Sequence, residues 1–380
     1  MIGWVFTGCL PKTDAADFCK ALDGVIADEP TRDALRSITA MRECCRKTMA
    51  IDAIEKYIPH LLGLIRVMNA APDEIRRLIA VSWTLPFTSR SSAVAFPVLQ
   101  FDFAMWLLTM GMLHRKAARD AFFTNDGDAA IKRLLCAAGV FGCASALTLP
   151  SDRIPQGVHE LKPEFSKLMQ TLCVLEAQQI VGRSATGPAT VSKVYMYASA
   201  KAELCRRLIA NMLDLAAEYR FAVLDAYLAV TGQLARGKTC LALAEQMRST
   251  GGAGVGHAIG LLKLALPASE RGEKTAYSDV KSQEHMSEFL AMANKFNEEK
   301  IGPALRSVTR ENETVYFANV PSPGDISLPA GSCVVADDLL PYAEPRPADV
   351  RLTLLSRGTT TRSGFVEYLH GVFSNEHGDQ

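Results

Sequence analysis

"KAELCRRLIANMLDLAAEYRFAVLDAYLAVTGQLARGKTCLALAEQM", residues 201–247, decides between two folds. Read for motifs, it contains "GQLARGKT", Gly232–Thr239, which fits the phosphate-loop pattern G-x-x-x-x-G-K-[ST]. Such a loop turns backbone N–H groups toward phosphate, aims its lysine at the outer phosphates and holds magnesium with its hydroxyl. "CVVADD", 333–338, would supply the acidic magnesium partner. Read for periodicity, the same stretch is helix. Phe221, Leu224 and Leu228 repeat at helical spacing in front of Gly232, where a phosphate loop requires a buried strand. Alanine and leucine dominate, with small residues where helices approach closely. On this reading Gly232–Thr239 is a turn between two hairpin helices, with Gly237 at the break.

The flanking chain supports the helical reading. Residues 93–266 read as helix after helix, interrupted by "TNDGD" (124–128), "LPSDRIPQG" (149–157), "GRSATGP" (182–188) and "STGGAGVG" (249–256). No alternation of strands and helices runs through the chain, so a parallel α/β sheet is not expected. The pattern predicts a mainly α fold, a stack of tetratricopeptide-like helical hairpins without a clean repeat period. Short strands are predicted at 2–7 and 79–87. Thr13 is the expected cap of a helix through "DAADFCKALDGVI", and Thr31 of one over 32–68 that ends at "NAAPDE". A later helical region over 276–310 is expected to kink or split at Gly302–Pro303. Beyond 313 the chain becomes extended: "ENETVYFANVPSPGD", 311–325, reads as an aromatic strap. There Tyr316 and Phe317 point to opposite sides and one of them enters the core. One short helix is predicted at 363–373.

Composition narrows the function. The 380 residues carry 41 basic and 41 acidic side chains, a balance that argues against a polyanion-binding protein. With 48% hydrophobic residues, a long disordered region is not expected either. The ten cysteines form no C-x-x-C and sit among apolar neighbours, which points to a reduced, cytoplasmic setting. "MIGWVFTGCLPKTDAADF" is not a secretory leader. The most apolar window, 93–113, is interrupted by Pro97, Gln100 and Asp102 and reads as a buried helix rather than a bilayer span. The seven histidines lie far apart, without metal-ligand spacing. "GGAGVG", 251–256, lacks the third glycine of a dinucleotide fingerprint and follows no strand. No catalytic residue, metal or cofactor is expected from the residues.

The strap sequence "ENETVYFANVP", following "ALRSVTR", resembles the signature near the end of the BRO ("BRO one") domain family, the ESCRT-associated scaffold domain of ALIX, Brox and the HD-type phosphatase. "WVFTGCLPKTDAADFCKAL" is similar to the family's opening strand and helix, and "LIAVSWTLPF" to its Trp-Thr strand. "IKRLLCAAGVFGCAS", "CVLEAQQIVGRSA" and "ASAKAELC" resemble three successive helices, all collinear over about residues 2–338. The resemblance implies a curved, banana-shaped helical domain over 1–345 with a small sheet and an extended strap, then a tail over 346–380. That length resembles the stand-alone Brox-like kind, without its lipidation cysteine and without room for a coiled-coil middle domain. It further implies a non-enzymatic, monomeric scaffold, cytoplasmic and recruited to endosomal membranes. Its partner would be the C-terminal amphipathic helix of an ESCRT-III subunit, held in a hydrophobic groove by apolar anchors entering pockets between helices. Carried over residue by residue, the groove falls at Val181, where the family has a bulky Phe, then Val194 with Tyr197 or Ala198, and Val334 on the tail. Asp126 maps to the groove edge and Tyr316 to a second surface patch. The competing readings are a nucleotide-dependent enzyme using Gly232–Thr239 and a helical-repeat adaptor for another peptide.

Overall fold

A computed structural model describes residues 10–87, 93–147, 158–212, 219–266, 291, 293–335 and 342–355. The predicted strand at 2–7, the predicted helix at 363–373 and the acidic end of "CVVADD" lie outside them. The chain divides into two compact units, Gly8–His114 with Ala146–Pro163 and Tyr342–Gln380, and Arg115–Ser145 with Glu164–Pro341 and Met1–Thr7.

The first unit holds β1 (Lys12–Thr13), α1 (Phe18–Leu22), α2 (Glu29–Thr48), α3 (Ile51–Ala70), α4 (Asp73–Arg76), β2 (Val81–Thr84), β3 (Val94–Phe96) and the start of α5 (Leu99–Phe123). The sheet is antiparallel in the order β1-β2-β3, pairing Thr13 with Trp83 and Trp83 with Val94. β3 lies where the sequence suggested helix from residue 93. Neither predicted threonine caps a helix. Asp17 accepts from Lys20 N and Asp28 from Thr31 N, because a carboxylate at the N-cap meets both the free N–H groups and the helix dipole. Thr13 is instead a strand residue, and Thr31 Oγ1 accepts from Thr353 N at 2.8 Å. The long helix expected over 32–68 is two helices, broken at Met49, which adopts a left-handed conformation (φ 46°) with no glycine to announce it.

Asp102, an interruption in the apolar window, is fully buried and organises this unit. Its carboxylate accepts from Arg42 Nε and Nη2, the Tyr57 hydroxyl, and the indole N–H groups of Trp83 and Trp106, at 2.8–3.2 Å. Arg42 also donates to Thr13 Oγ1 and the Asp14 carbonyl. One carboxylate thereby ties α2, α3, β2 and α5 together, and a buried charge is tolerated because every lone pair is used. The extended segment 348–355 closes the unit over α2 and α3. Ala348 N donates to the Pro59 carbonyl, Ile26 pairs with Leu354, and Leu352 and Leu354 are buried. Gly63 makes room for it: a Cβ there would lie 2.6 Å from Val350 Cγ2.

The second unit is the helical stack. It comprises the end of α5, α6 (Gly127–Ala146), α7 (Pro163–Ser184), α8 (Pro188–Asn211), α9 (Tyr219–Ser249), α10 (Ala253–Ala265) and α11 (Gly302–Glu311). Arg206 on α8 meets Asp225 near one end of α9, and the Ser192 carbonyl meets Thr239 near the other, so α8 and α9 run antiparallel. Tyr195 OH donates to the Gly182 carbonyl across the α7–α8 hairpin. Arg115 and Glu176, both fully buried, form an ion pair inside the stack. Of the described helices only α6 is long and apolar enough to cross a bilayer, and its Leu134, Leu135, Val140 and Phe141 are buried here.

The predicted turn at Gly237 is not a turn. α9 runs unbroken for 31 residues through Gly232–Thr239. Both glycines serve packing: a Cβ on Gly232 would sit 3.3 Å from Ala202 Cβ, and one on Gly237 3.2 Å from the Phe296 ring. Close helix approach outweighs the intrinsic cost of glycine in a helix, about 1 kcal/mol each. The strap also departs from expectation. Helical structure continues through Tyr316, whose widened last turn (Asn312–Tyr316) ends at left-handed Phe317. Both aromatics are exposed, and neither enters the core. Buried Asn312 fixes the exit by exchanging hydrogen bonds with both backbone groups of Ala318. Gly302–Pro303 does not split the helix as expected: helical structure continues through it, and the missing proline N–H is accommodated by a widened turn over Asn297–Ile301.

Candidate partner-binding groove

The groove region is assembled by one buried amide. Gln178 lies on α7 amid Cys173, Val174, Leu175 and Ala177, where an apolar side chain would be the default. Its Nε2 donates to the Ser332 carbonyl at 2.9 Å and the Val194 carbonyl at 3.3 Å, and its Oε1 accepts from Val334 N at 3.2 Å. It occupies the place a neighbouring β-strand would take, satisfying the backbone of an extended segment that has no sheet. Ser332 N adds a bond to the Lys193 carbonyl on α8. Gly331 is the approach point: a Cβ there would clash with the backbone of Tyr197. The segment then alternates, with Val334 outward at 46% exposure and Val335 inward at 1%.

The predicted groove residues fall into two groups. Val181, Tyr197 and Val334 are at least partly exposed and belong to three elements that Gln178 and Gly331 bring together. Val194 and Ala198 are buried, at 1% and 0% exposure, and belong to the packing beneath. The expected choice between Tyr197 and Ala198 therefore resolves to Tyr197 as the surface residue. Burial and contact with the Cys333 thiol push the Tyr197 hydroxyl above its ordinary range. Asp126 is exposed and caps α6 by accepting from Ala129 N at 2.9 Å. Its turn abuts the end of α7, since a Cβ on Gly127 would lie 3.6 Å from Ile180. On the same turn Phe122 stacks beneath the Arg183 guanidinium at 4.7 Å, and Phe123 is 72% exposed. Gln178 was not singled out in the sequence; between Glu176 and Gln179 it is one polar residue among three, and no local pattern marks it as the one that holds the strap.

Tyr316 belongs to different elements. With Gly252, Ala253, His257, Ala318, Asn319 and Pro321 it lines a cavity of about 360 Å³ at the start of α10.

The phosphate-loop reading fails on geometry. The N–H groups of Gly232–Thr239 are inside α9 and serve its own ladder, so they cannot cradle phosphate. Lys238 packs over the Tyr195 ring at 4.5 Å, its ammonium held below its ordinary range by burial and by the charge of Arg183. Thr239 Oγ1 is buried and bonded to the Ser192 and Ala235 carbonyls. Among the described residues no cluster of His, Cys, Asp and Glu is arranged to hold a metal.

Comparison with solved structures agrees with this architecture. The chain resembles a Bro1 domain solved as the structural basis for endosomal targeting, with a TM-score of 0.66 at 16% identity over 87% of this chain and 94% of that one. ALIX in complex with the SIVmac239 PYKEVTEDL late domain matches at TM-score 0.63 and 16% identity, over 89% of this chain and 49% of the longer ALIX chain. An ALIX BRO1–CHMP4C complex matches at TM-score 0.58 and 15% identity, over 86% and 92%. No curated protein sequence matches significantly. The BRO1-like domain model matches residues 10–346, and with that share of its length covered the chain belongs to the BRO1-like domain family.

Proposed function

We propose that this chain is a non-enzymatic scaffold whose α7–α8 groove takes the C-terminal amphipathic helix of an ESCRT-III subunit, in endosomal (multivesicular body) sorting or membrane remodelling. The carrying observation is the convergence of Val181, Tyr197 and exposed Val334, from three elements, around the buried amide of Gln178. Apolar side chains presented between packed helices are what a helix-in-groove partner requires. The solved ALIX BRO1–CHMP4C complex names a partner of this kind for a protein of the same fold. Attachment to endosomal membranes then runs through the partner, from a cytoplasmic pool of monomer.

The test is direct binding of the full chain to a peptide of the CHMP4C C-terminal helix and to the corresponding helices of other ESCRT-III subunits, by fluorescence anisotropy. Val181→Asp places a charge where an apolar anchor would sit and is expected to weaken binding at least about tenfold, with an unchanged circular dichroism spectrum. Undiminished binding by the folded variant removes the groove assignment. Binding only to unrelated amphipathic peptides would make the chain an adaptor for a different ligand.

A further inference from the structure

We infer that the groove selects a partner helix with acidic side chains flanking its apolar anchor, read by Lys193 and Lys201; this rests on the groove reading above. Lys193, Tyr197 and Lys201 stand at i, i+4 and i+8 on α8, so they form one stripe along its surface. Lys201 Nζ lies 5.0 Å from the Tyr197 ring, which fixes that ammonium beside the apolar anchor. The two lysines bracket Tyr197 over about 12 Å of helix, at a rise of 1.5 Å per residue.

Neither lysine is neutralised by the protein among the described residues. From Ala177 to Ala202 the chain carries Arg183, Lys193 and Lys201 and no Asp or Glu. The strap segment facing α8, Gly331–Val335, carries no charge. The neighbouring stretch of α9 presents Arg236 and Lys238. Among the described residues the nearby acids are Glu203 on α8, paired with Arg206 at 3.5 Å, and, from the α5–α6 turn, Asp126, engaged in its cap, and Asp128. The surface around Tyr197 is therefore apolar at its centre and positive along α8. A helix lying along α8 with its apolar face on Tyr197 gains by placing Glu or Asp about one turn to either side of the anchor. Such rim charges contribute selectivity more than affinity, because each exposed pair is partly screened.

The experiment uses the full chain and three synthetic helical peptides with one leucine-bearing apolar face and flanks of Glu, Gln or Lys. In about 50 mM salt the Glu-flanked peptide is expected to bind about three- to tenfold tighter than the Gln-flanked one, and the Lys-flanked peptide weakest. The order should collapse in about 0.5 M salt and invert in the Lys193→Glu/Lys201→Glu variant, in which neither position belongs to the buried core. Equal binding by all three, each still lost with Val181→Asp, overturns this inference and leaves the groove reading standing. No binding by any peptide or by an ESCRT-III helix overturns both. Should the double variant abolish binding to vesicles containing about 30% phosphatidylserine while ranking the peptides as the unaltered chain does, the lysines read a membrane surface and the inference falls.

Discussion

Two extended segments cross helices in this protein, and they are held in opposite ways. The first-unit segment 348–355 is bonded backbone to backbone, through Ala348 to Pro59, Thr353 to Ala27 and Leu355 to Val25, and it turns Leu352 and Leu354 inward. It behaves as an added strand that completes a core. The second-unit segment 331–335 is gripped mainly by one side chain, Gln178, and turns Val334 outward. A segment held by its backbone spends its side chains on the core. One held by a buried amide leaves an apolar side chain, Val334, exposed at the surface.

The most forceful way to break this contrast is to displace each segment in turn. Gly63→Val would put side-chain atoms into the Ala348 carbonyl and Val350, and should cost about 3 kcal/mol of stability by overpacking. Helix-peptide affinity should stay within about twofold, since the damage is confined to the closing segment. Gln178→Leu should cost about 2 kcal/mol, because the Ser332 carbonyl and Val334 N lose their partner, and should weaken helix binding at least about tenfold. Urea denaturation and peptide titration measure both. If Gly63→Val abolished binding, or Gln178→Leu spared it, the division of labour between the segments would be gone.

How far the sequence disclosed this arrangement depends on what each residue type signals by itself. The hairpin stack was legible because apolar spacing and Gly/Pro breaks are local, and "GRSATGP" and "STGGAGVG" both mark real turns. Gly237 misled because a glycine chosen for helix contact looks the same as one chosen for a turn until Phe296 is seen beside it. Thr13 and Thr31 were plausible caps, but the neighbouring aspartates outcompete hydroxyls at a helix start, and both threonines are used in tertiary contacts. Tyr316 and Phe317 were assigned to an extended strap, yet the helical turn held by Asn312 runs through Tyr316 and ends at left-handed Phe317 before the chain extends. Asp102 read only as a break in an apolar window; its donors come from four separate elements and no local pattern joins them. Around Val194, Tyr197 and Ala198, small and apolar residues such as Met196, Ser199 and Ala200 surround the helix between Lys193 and Lys201. The sequence could place them together but could not say which face was buried.

A smaller perturbation sharpens the comparison at Val334. Trimming this exposed side chain by Val334→Ala should change stability by less than about 0.5 kcal/mol, since it leaves no cavity. Helix binding should fall about threefold to fivefold, the apolar area lost from a contact made only in the complex. The same truncation at buried Leu352 should reverse the pattern, at about 3 kcal/mol of stability and no loss of binding.

The smallest effect is expected from Tyr197→Phe, and its size separates two roles for that residue. The Tyr197 hydroxyl meets the Cys333 thiol, so it could serve mainly to hold the strap. Gln178 and Gly331 already fix the strap by backbone bonds and close approach, and a thiol is a weak hydrogen-bond partner. Removing the hydroxyl should therefore cost about 0.5 kcal/mol or less in stability and leave helix affinity within about twofold. Tyr197→Ala, which deletes the ring beneath Lys201 as well, should weaken binding about tenfold or more. A phenylalanine variant as defective as the alanine one would mean that Tyr197 works through its hydroxyl, as part of the clasp rather than as part of the surface the clasp supports.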